Sequence, residues 1–200
     1  KSAGGGSNDP TNWGISSANG GTPGAENNRL LSASDVNNAT STEPLIAFGT
    51  DIPATTTIST DTTWDLAGSP YRLFFDGQRR PTVAAGAVLT IAPGVKIIPQ
   101  GGNYTALEIF GTLNAIATSG APIIFTSIAD VDNSTSTTPQ KGDWLNIVFS
   151  QGAQANLDYV EFHYGGQGNT LPLREMVDIV GATVNINHSK FENSQNTALH

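Results

Sequence analysis

Apolar and polar residues alternate in short segments along most of the chain, separated by turns rich in Gly, Pro and Asn. Alternation with a period of two is typical of half-buried strands, and no long stretch keeps the 3.6-residue period of an amphipathic helix. From Pro44 onward the pattern therefore predicts an all-β structure. The predicted strands lie at residues 73–75, 88–91, 95–98, 107–109, 123–125, 145–149, 159–162, 177–179 and 183–186.

These strands recur in a fixed order, three to a repeat. In the third strand of each repeat, equivalent apolar positions follow one another at intervals of 28, 37 and 29 residues. A Gly is expected to open each second strand, at Gly86, Gly111, Gly152 and Gly181. The inward pairs of the first strand are predicted as Leu107 and Ile109, Leu145 and Ile147, Val177 and Ile179; those of the second begin at Leu89, Leu113, Ala155 and Val184; those of the third begin at Val95, Ile123, Val160 and Ser189.

One coil per repeat and three strands per coil predict a right-handed parallel β-helix, in which stacked coils bury one side chain of each alternating pair. An antiparallel sandwich would explain the alternation but not the repeated register. The longest coil contains a polar stretch at residues 129–142, which we expect to leave the rod as a surface excursion.

Several segments carry a resemblance to a known family. The stretches at residues 62–71, 86–95, 111–115, 121–127 and 142–144 resemble the β-helix domains of large bacterial secreted and cell-surface proteins. The resemblance covers about residues 44–200. The resemblance implies the architecture. Because such domains occur in secreted and surface proteins, it also implies an extracellular or cell-surface location, but it implies no particular reaction.

The first 43 residues differ from the rest. Asn12-Trp13 and the Gly-rich stretch at residues 20–25 resemble the exit of a bacterial lamin-tail domain, so residues 1–28 are interpreted as a remnant of such a β-sandwich or as a Gly-rich linker. Residues 29–43 are interpreted as a linker. The repeat is expected to continue beyond His200, with further coils of the same chain or a neighbouring subunit covering that edge.

Composition narrows the list of partners. Only 13% of the residues are charged and the net charge is −8, a surface that repels phosphate backbones and disfavours nucleic acid as a partner. The chain has no cysteine, which excludes disulfides and thiolate metal sites. No apolar run approaches the length of a membrane span, about 20 residues.

The first strands suggest one pair of candidate catalytic residues. Their predicted outward column reads Glu108, Asn146, Asp178, which would place the two acids about 10 Å apart, a spacing suited to inverting glycoside hydrolysis. Any two outward acids two coils apart meet this condition, and no basic residue is evident in the column. A solvated strand face is the simpler interpretation.

The third strands suggest a carbohydrate-binding patch. Their outward column reads Lys96, Ile124, Glu161, Lys190, and His163 should face outward beside Glu161. With Tyr164 at the following turn, acid, imidazole and aromatic groups would share one surface. The alternative is an ordinary strand surface with an ion pair between Glu161 and Lys190.

The long coil suggests a Ca²⁺ site formed by Asp130, Asp132 and Asp143, because hard oxygen ligands from one loop suit that ion. The alternative is a turn in which Asp and Asn bind their own backbone.

In the second strands Asn114, Asn156 and Asn185 share an outward position and are expected to form an amide ladder. His188 and His200 have no metal-ligand partner close in sequence.

These observations favour a non-catalytic extracellular or cell-surface module, such as a stalk, an adhesin segment or a matrix component, with a surface polysaccharide or matrix as its partner. The alternatives are a polysaccharide lyase or glycoside hydrolase of the β-helix type, and a subunit of an extracellular filament. An acidic surface disfavours an anionic substrate.

Overall fold

A computed structural model of the protein describes residues 49–100, 105–131, 138–168 and 175–200. The described residues form short strands and one helical turn. In chain order these are β1 (Thr50–Ile52), β2 (Thr57–Ile58), β3 (Thr62–Trp64), β4 (Tyr71–Leu73), β5 (Thr82–Val83), β6 (Val88–Ile91), β7 (Lys96–Pro99), β8 (Leu107–Ile109), β9 (Thr112–Ile116), β10 (Ile123–Phe125), α1 (Ile128–Val131), β11 (Ile147–Phe149), β12 (Gln154–Asp158), β13 (Val160–His163), β14 (Val177–Ile179), β15 (Thr183–Asn187) and β16 (Lys190–Glu192).

The strands build three parallel sheets that the chain visits in turn. Sheet A contains β1, β4, β7, β10, β13 and β16; sheet B contains β2, β5, β8, β11 and β14; sheet C contains β3, β6, β9, β12 and β15. Each strand pairs with the strand three positions earlier, so one coil contributes one strand to each sheet. The fold is a right-handed parallel β-helix with three strands per coil, as the repeat predicts.

The core lies between the three sheets and is filled by the inward residue of each alternating pair. In sheet A the rings of Phe125, Phe162 and Phe191 stack on one another in successive coils. In sheet C, Leu113 and Ala155 are buried at the same register. The registers of sheets A and C agree with those predicted from the repeat.

The predicted register of sheet B is wrong by two residues in the long coil. Ile147 lies opposite Leu107, and Phe149 lies opposite Ile109, so the inward pair in β11 is Ile147 and Phe149. Leu145 is buried but precedes the strand and lies outside the main apolar cluster. The first predicted strand also shifts by two, because β4 spans Tyr71–Leu73 rather than residues 73–75.

The amide ladder of sheet C is confirmed. The Asn156 side chain donates to the Asn114 side-chain oxygen at 3.1 Å, and Asn185 donates to Asn156 at the same distance. Backbone N–H and C=O groups of neighbouring coils pair within a stacked sheet, and the ladder extends that pairing to the side chains.

Three of the four predicted glycines hold the same turn position. Gly86, Gly152 and Gly181 have φ of +85°, +82° and +65°, in the left-handed region that costs other residues energy. Gly111 lies one residue further along the strand, opposite Ala87 and Ala153, and its φ is not positive. It is required for another reason, because a Cβ there would lie 2.3 Å from the carbonyl oxygens of Ala84 and Ala87.

The polar stretch of the long coil begins with α1 and returns to the sheets at residues 138–143. Residues 132–137 lie outside the described part of the chain, as do the lamin-tail-like segment and the linker at residues 1–43. At the other end, Leu199 pairs with Val177 in parallel, which starts another rung on sheet B. Within the described ranges, none of the helical structure is long and apolar enough to cross a membrane.

Candidate functional site

The outward face of sheet B carries the two acids predicted as catalytic candidates. The true column reads Glu108, Val148, Asp178, so Val148 replaces the predicted Asn146 between the acids. Asn146 is buried, with 1% of its surface exposed, because it lies just before β11 rather than in it. Val148 is therefore the residue that separates Glu108 from Asp178, and the structure does not bring their carboxylates together.

Glu108 is occupied by two partners. Arg80 donates its Nε–H to one carboxylate oxygen at 3.1 Å, and the Ser150 hydroxyl donates to the other at 2.9 Å. The repeat shows no basic residue in this column because Arg80 reaches it from the turn before β5. A carboxylate with both oxygens engaged across coils behaves as a structural ion pair rather than as a free acid or base.

Asp178 has different neighbours. Its carboxylate lies near Glu175, which precedes β14, and near His200, whose Nδ1 is 3.9 Å from Asp178 Oδ1. In the sequence His200 stands alone, because its partners lie 22 and 25 positions earlier. Only the stacking of one coil on the next brings these three side chains together.

The outward face of sheet A carries the predicted carbohydrate-binding residues. Lys190 Nζ lies 3.0 Å from Glu161 Oε1, which confirms the ion pair between adjacent coils. The hydrogen bond and the charge of Glu161 raise the pKa of Lys190 above its ordinary value. Glu192, which sequence analysis missed, lies directly opposite His163 in the ladder.

His163 lies at the centre of this surface. Its Nε2 is 3.4 Å from Glu161 Oε2 and 3.5 Å from Glu192 Oε2, yet it is buried and has no hydrogen-bond partner among the described residues. Trp144 holds the backbone beneath it, since the indole N–H donates to the His163 carbonyl at 2.8 Å. We call Glu161, His163, Lys190 and Glu192 the sheet A cluster.

Aromatic rings lie at both ends of β13. Tyr164 contacts His163 edge-on, with ring centroids 6.1 Å apart, and has a φ of +64° at the turn that ends β13. At the other end of the strand, Tyr159 stacks on His188 of the next coil at 4.7 Å. Tyr159 also packs partly against the core, so Tyr164 is the aromatic ring that lies beside the four polar groups.

The residues predicted to bind Ca²⁺ have local partners instead. Thr126 donates its hydroxyl to Asp130 Oδ2 at 2.8 Å, and Gln140 donates its backbone N–H to Asp143 Oδ2 at 3.0 Å. The Ser127 hydroxyl also donates to Asp143 Oδ2. These bonds fit the turn interpretation, in which carboxylates organise the backbone of the long coil. Asp132 lies outside the described residues, so the Ca²⁺ site stays a prediction.

A shallow depression of about 330 Å³ lies beside these acids, lined by Pro99, Ser127, Ile128, Ala129, Thr138, Gln140 and Asp143. It is open to solvent and bordered by backbone and short side chains. Neither the sheet A cluster nor the group around Asp178 lines this depression.

The stacked parallel sheets place the described region in the class of right-handed parallel β-helix repeat proteins. Comparisons of the chain with protein-family models, with curated proteins and with solved structures find no match. Function therefore has to be argued from the surface chemistry of this chain itself, because a fold of this kind hosts unrelated activities.

Proposed function

We propose that this chain is a non-catalytic extracellular or cell-surface module that binds a neutral polysaccharide through the sheet A cluster. The observation that carries the proposal is the grouping of two carboxylates and one ammonium group around His163 on a single sheet face. Sugar hydroxyls both donate and accept, so they suit a surface that presents acceptors at Glu161 and Glu192 and a donor at Lys190.

The shape of the surface supports an extended ligand. Adjacent coils repeat at about 4.8 Å along the stack, so a linear chain lying across them meets equivalent positions in succession. Tyr164 offers an aromatic ring beside the polar groups, an arrangement that suits the mixed apolar and polar surface of a sugar. The net charge of −8 favours a neutral ligand over an anionic one.

The contacts of the outward acids of sheet B favour a structural role for this face over a catalytic one. Glu108 is committed to Arg80 and Ser150, and Val148 separates it from Asp178. In the same way, the stacked phenylalanines and the asparagine ladder connect successive coils. Inward and outward side chains are thus both used to join coils, which suits a rigid stalk or matrix segment.

Isothermal titration of the chain with a panel of neutral and anionic polysaccharides tests the proposal. We expect binding to a neutral member and a loss of affinity of about tenfold or more in Glu161→Gln and His163→Gln, equivalent to about 1.4 kcal/mol. The matched control is Asp51→Asn, since Asp51 is also an outward acid of sheet A paired with a basic residue, Arg72. Equal loss in the control, or no binding to any polysaccharide, would contradict the proposal.

The two alternatives give different results. A lyase or hydrolase would release unsaturated or reducing ends from a polysaccharide, and this activity would disappear in Glu108→Gln or Asp178→Asn. A filament subunit would sediment as larger species as its concentration rises. We expect neither product release nor concentration-dependent assembly, and antibody labelling of intact source cells should detect the protein at their surface.

A further inference from the structure

Three potential metal ligands meet where sheet B passes from one coil to the next. A carboxylate oxygen of Glu175, a carboxylate oxygen of Asp178 and a ring nitrogen of His200 all lie within 4.8 Å of one another. This is the one such group of three or more acidic, His or Cys side chains found in the described ranges. It was not evident from sequence because it joins residues of two coils.

The β-helix backbone fixes these positions. Asp178 is the central, outward residue of β14, and Glu175 lies two residues before that strand. His200 is held opposite Asp178 by two ladder bonds, since its backbone N–H donates to Val177 O at 3.1 Å and its carbonyl accepts from Ile179 N at 2.9 Å. The imidazole itself is exposed, but its point of attachment is set by the sheet.

Glu175 provides the second, independent observation. Only 9% of its surface is exposed, and its side chain has no hydrogen bond or ion pair with the part of the chain that the structure describes. Among the described residues, its carboxylate lies within 4.8 Å of another carboxylate, that of Asp178. Holding two carboxylates close together is costly because like charges repel, and a bound cation offsets that repulsion.

We propose that Glu175, Asp178 and His200 bind a divalent cation of the zinc class, which clips one coil to the next. Two carboxylates and one imidazole suit zinc and its transition-metal neighbours, whereas calcium and magnesium prefer oxygen ligands throughout. Metal–ligand distances of about 2.0–2.2 Å place tetrahedral ligands about 3.3–3.6 Å apart. The present separations reach that geometry by side-chain rotation, with water completing the coordination.

The proposed metal site differs from the proposed polysaccharide site in its position and in its effect on the protein. The three ligands lie on sheet B, whereas the sheet A cluster lies on another face of the coil. Zinc bound here bridges two coils, so it should raise the thermal stability of the chain. Binding of a polysaccharide by the sheet A cluster does not depend on it.

The test is titration of the metal-free 200-residue chain, without an affinity tag, with Zn²⁺ and separately with Ca²⁺. We expect one Zn²⁺ to bind per chain, a rise in melting temperature that EDTA reverses, and tetrahedral visible absorption when Co²⁺ is substituted. His200→Ala should weaken Zn²⁺ binding at least about tenfold, as expected when one of three protein ligands is removed. The side chain of His200 is 75% exposed, so this variant should fold.

His188→Ala is the matched control. His188 is also exposed and lies 2.9 Å from a carboxylate, that of Asp158, but it belongs to no three-ligand group in the described residues. We expect its Zn²⁺ affinity to stay within about twofold of the parent, and Asp178→Asn to lose affinity as His200→Ala does. Failure of the parent chain to bind Zn²⁺, equal binding by His200→Ala, or tighter binding of Ca²⁺ than of Zn²⁺ would overturn the proposal.

Discussion

Phe162 stacks on Phe125 of the preceding coil, with ring centroids 4.9 Å apart and ring planes inclined by 14°. The centroid separation is close to the spacing between parallel strands, so the sheet backbone sets the contact between the rings. Phe191 continues the column at 5.1 Å from Phe162. Because Phe162 lies between two other rings, it is the residue whose loss should most affect the stacking of coils.

Phe162→Ala should lower the free energy of unfolding by about 3–5 kcal/mol, as for other buried aromatic residues replaced by alanine. The side chain is 1% exposed and contacts rings on both sides, so its removal leaves a cavity that neighbours cannot close. Urea denaturation followed by circular dichroism measures the change. The control is Phe110→Ala, where the ring is 42% exposed and the loss should be below about 1 kcal/mol. Similar losses for both variants would contradict the role of the stack.

The registers of sheets A and C could be predicted because their apolar pairs keep an unbroken alternation from coil to coil. In sheet B the same reasoning chose Leu145 and Ile147 where the structure uses Ile147 and Phe149. A shift of two residues preserves the inward and outward alternation, so periodicity alone cannot detect it. The variable polar stretch before β11 removes the spacing that would have fixed the choice.

The candidate sites show the same limit. The repeat predicts which side chains lie close together when they occupy equivalent strand positions, as Glu161, Lys190 and the asparagine ladder do. Arg80 and Glu175 lie in turns, where chain length varies between coils and no register applies. Glu192 is the exception, since it lies two residues after Lys190 and its position opposite His163 follows from a register that had been predicted correctly.

Asn156→Ala should destabilise the fold by about 1–2 kcal/mol, because Asn156 donates one ladder bond and accepts another, each worth about 0.5–1.5 kcal/mol. Asn185→Ala, which removes one bond within the described ladder, should cost about half as much. Asn187→Ala is the matched control: Asn187 is an exposed asparagine on β15 without a side-chain hydrogen bond to the described residues. Chemical denaturation should rank the three variants in that order, and an equal effect at Asn187 would argue against the ladder.

The ion pair of the sheet A cluster predicts a pH dependence at high pH. Because the hydrogen bond and charge of Glu161 raise the pKa of Lys190, the pair stabilises the fold fully below the ordinary lysine value of 10.5. That contribution is lost as the pH rises through the folded pKa. NMR titration of the Lys190 side chain should show the raised pKa in the parent chain and a value nearer the ordinary one in Glu161→Gln. Asp51→Asn should leave the titration unchanged, and an unchanged pKa in Glu161→Gln would refute the assignment.

The turns into sheet C need glycine for two different reasons, a close approach of backbone atoms at Gly111 and a positive φ at Gly86. Gly111→Ala forces a Cβ to within 2.3 Å of two backbone carbonyl oxygens, which cannot rotate away, so we expect a loss of about 3 kcal/mol or more. Gly86→Ala meets open space, and its cost comes only from a φ of +85°, about 1–2 kcal/mol. Gly120→Ala also meets open space, without a positive φ, and should be neutral or stabilising by up to about 1 kcal/mol. Thermal and urea denaturation of the three variants should give this order. A Gly86→Ala variant less stable than Gly111→Ala would mean that backbone conformation, not the close approach of neighbouring coils, limits substitution at these turns.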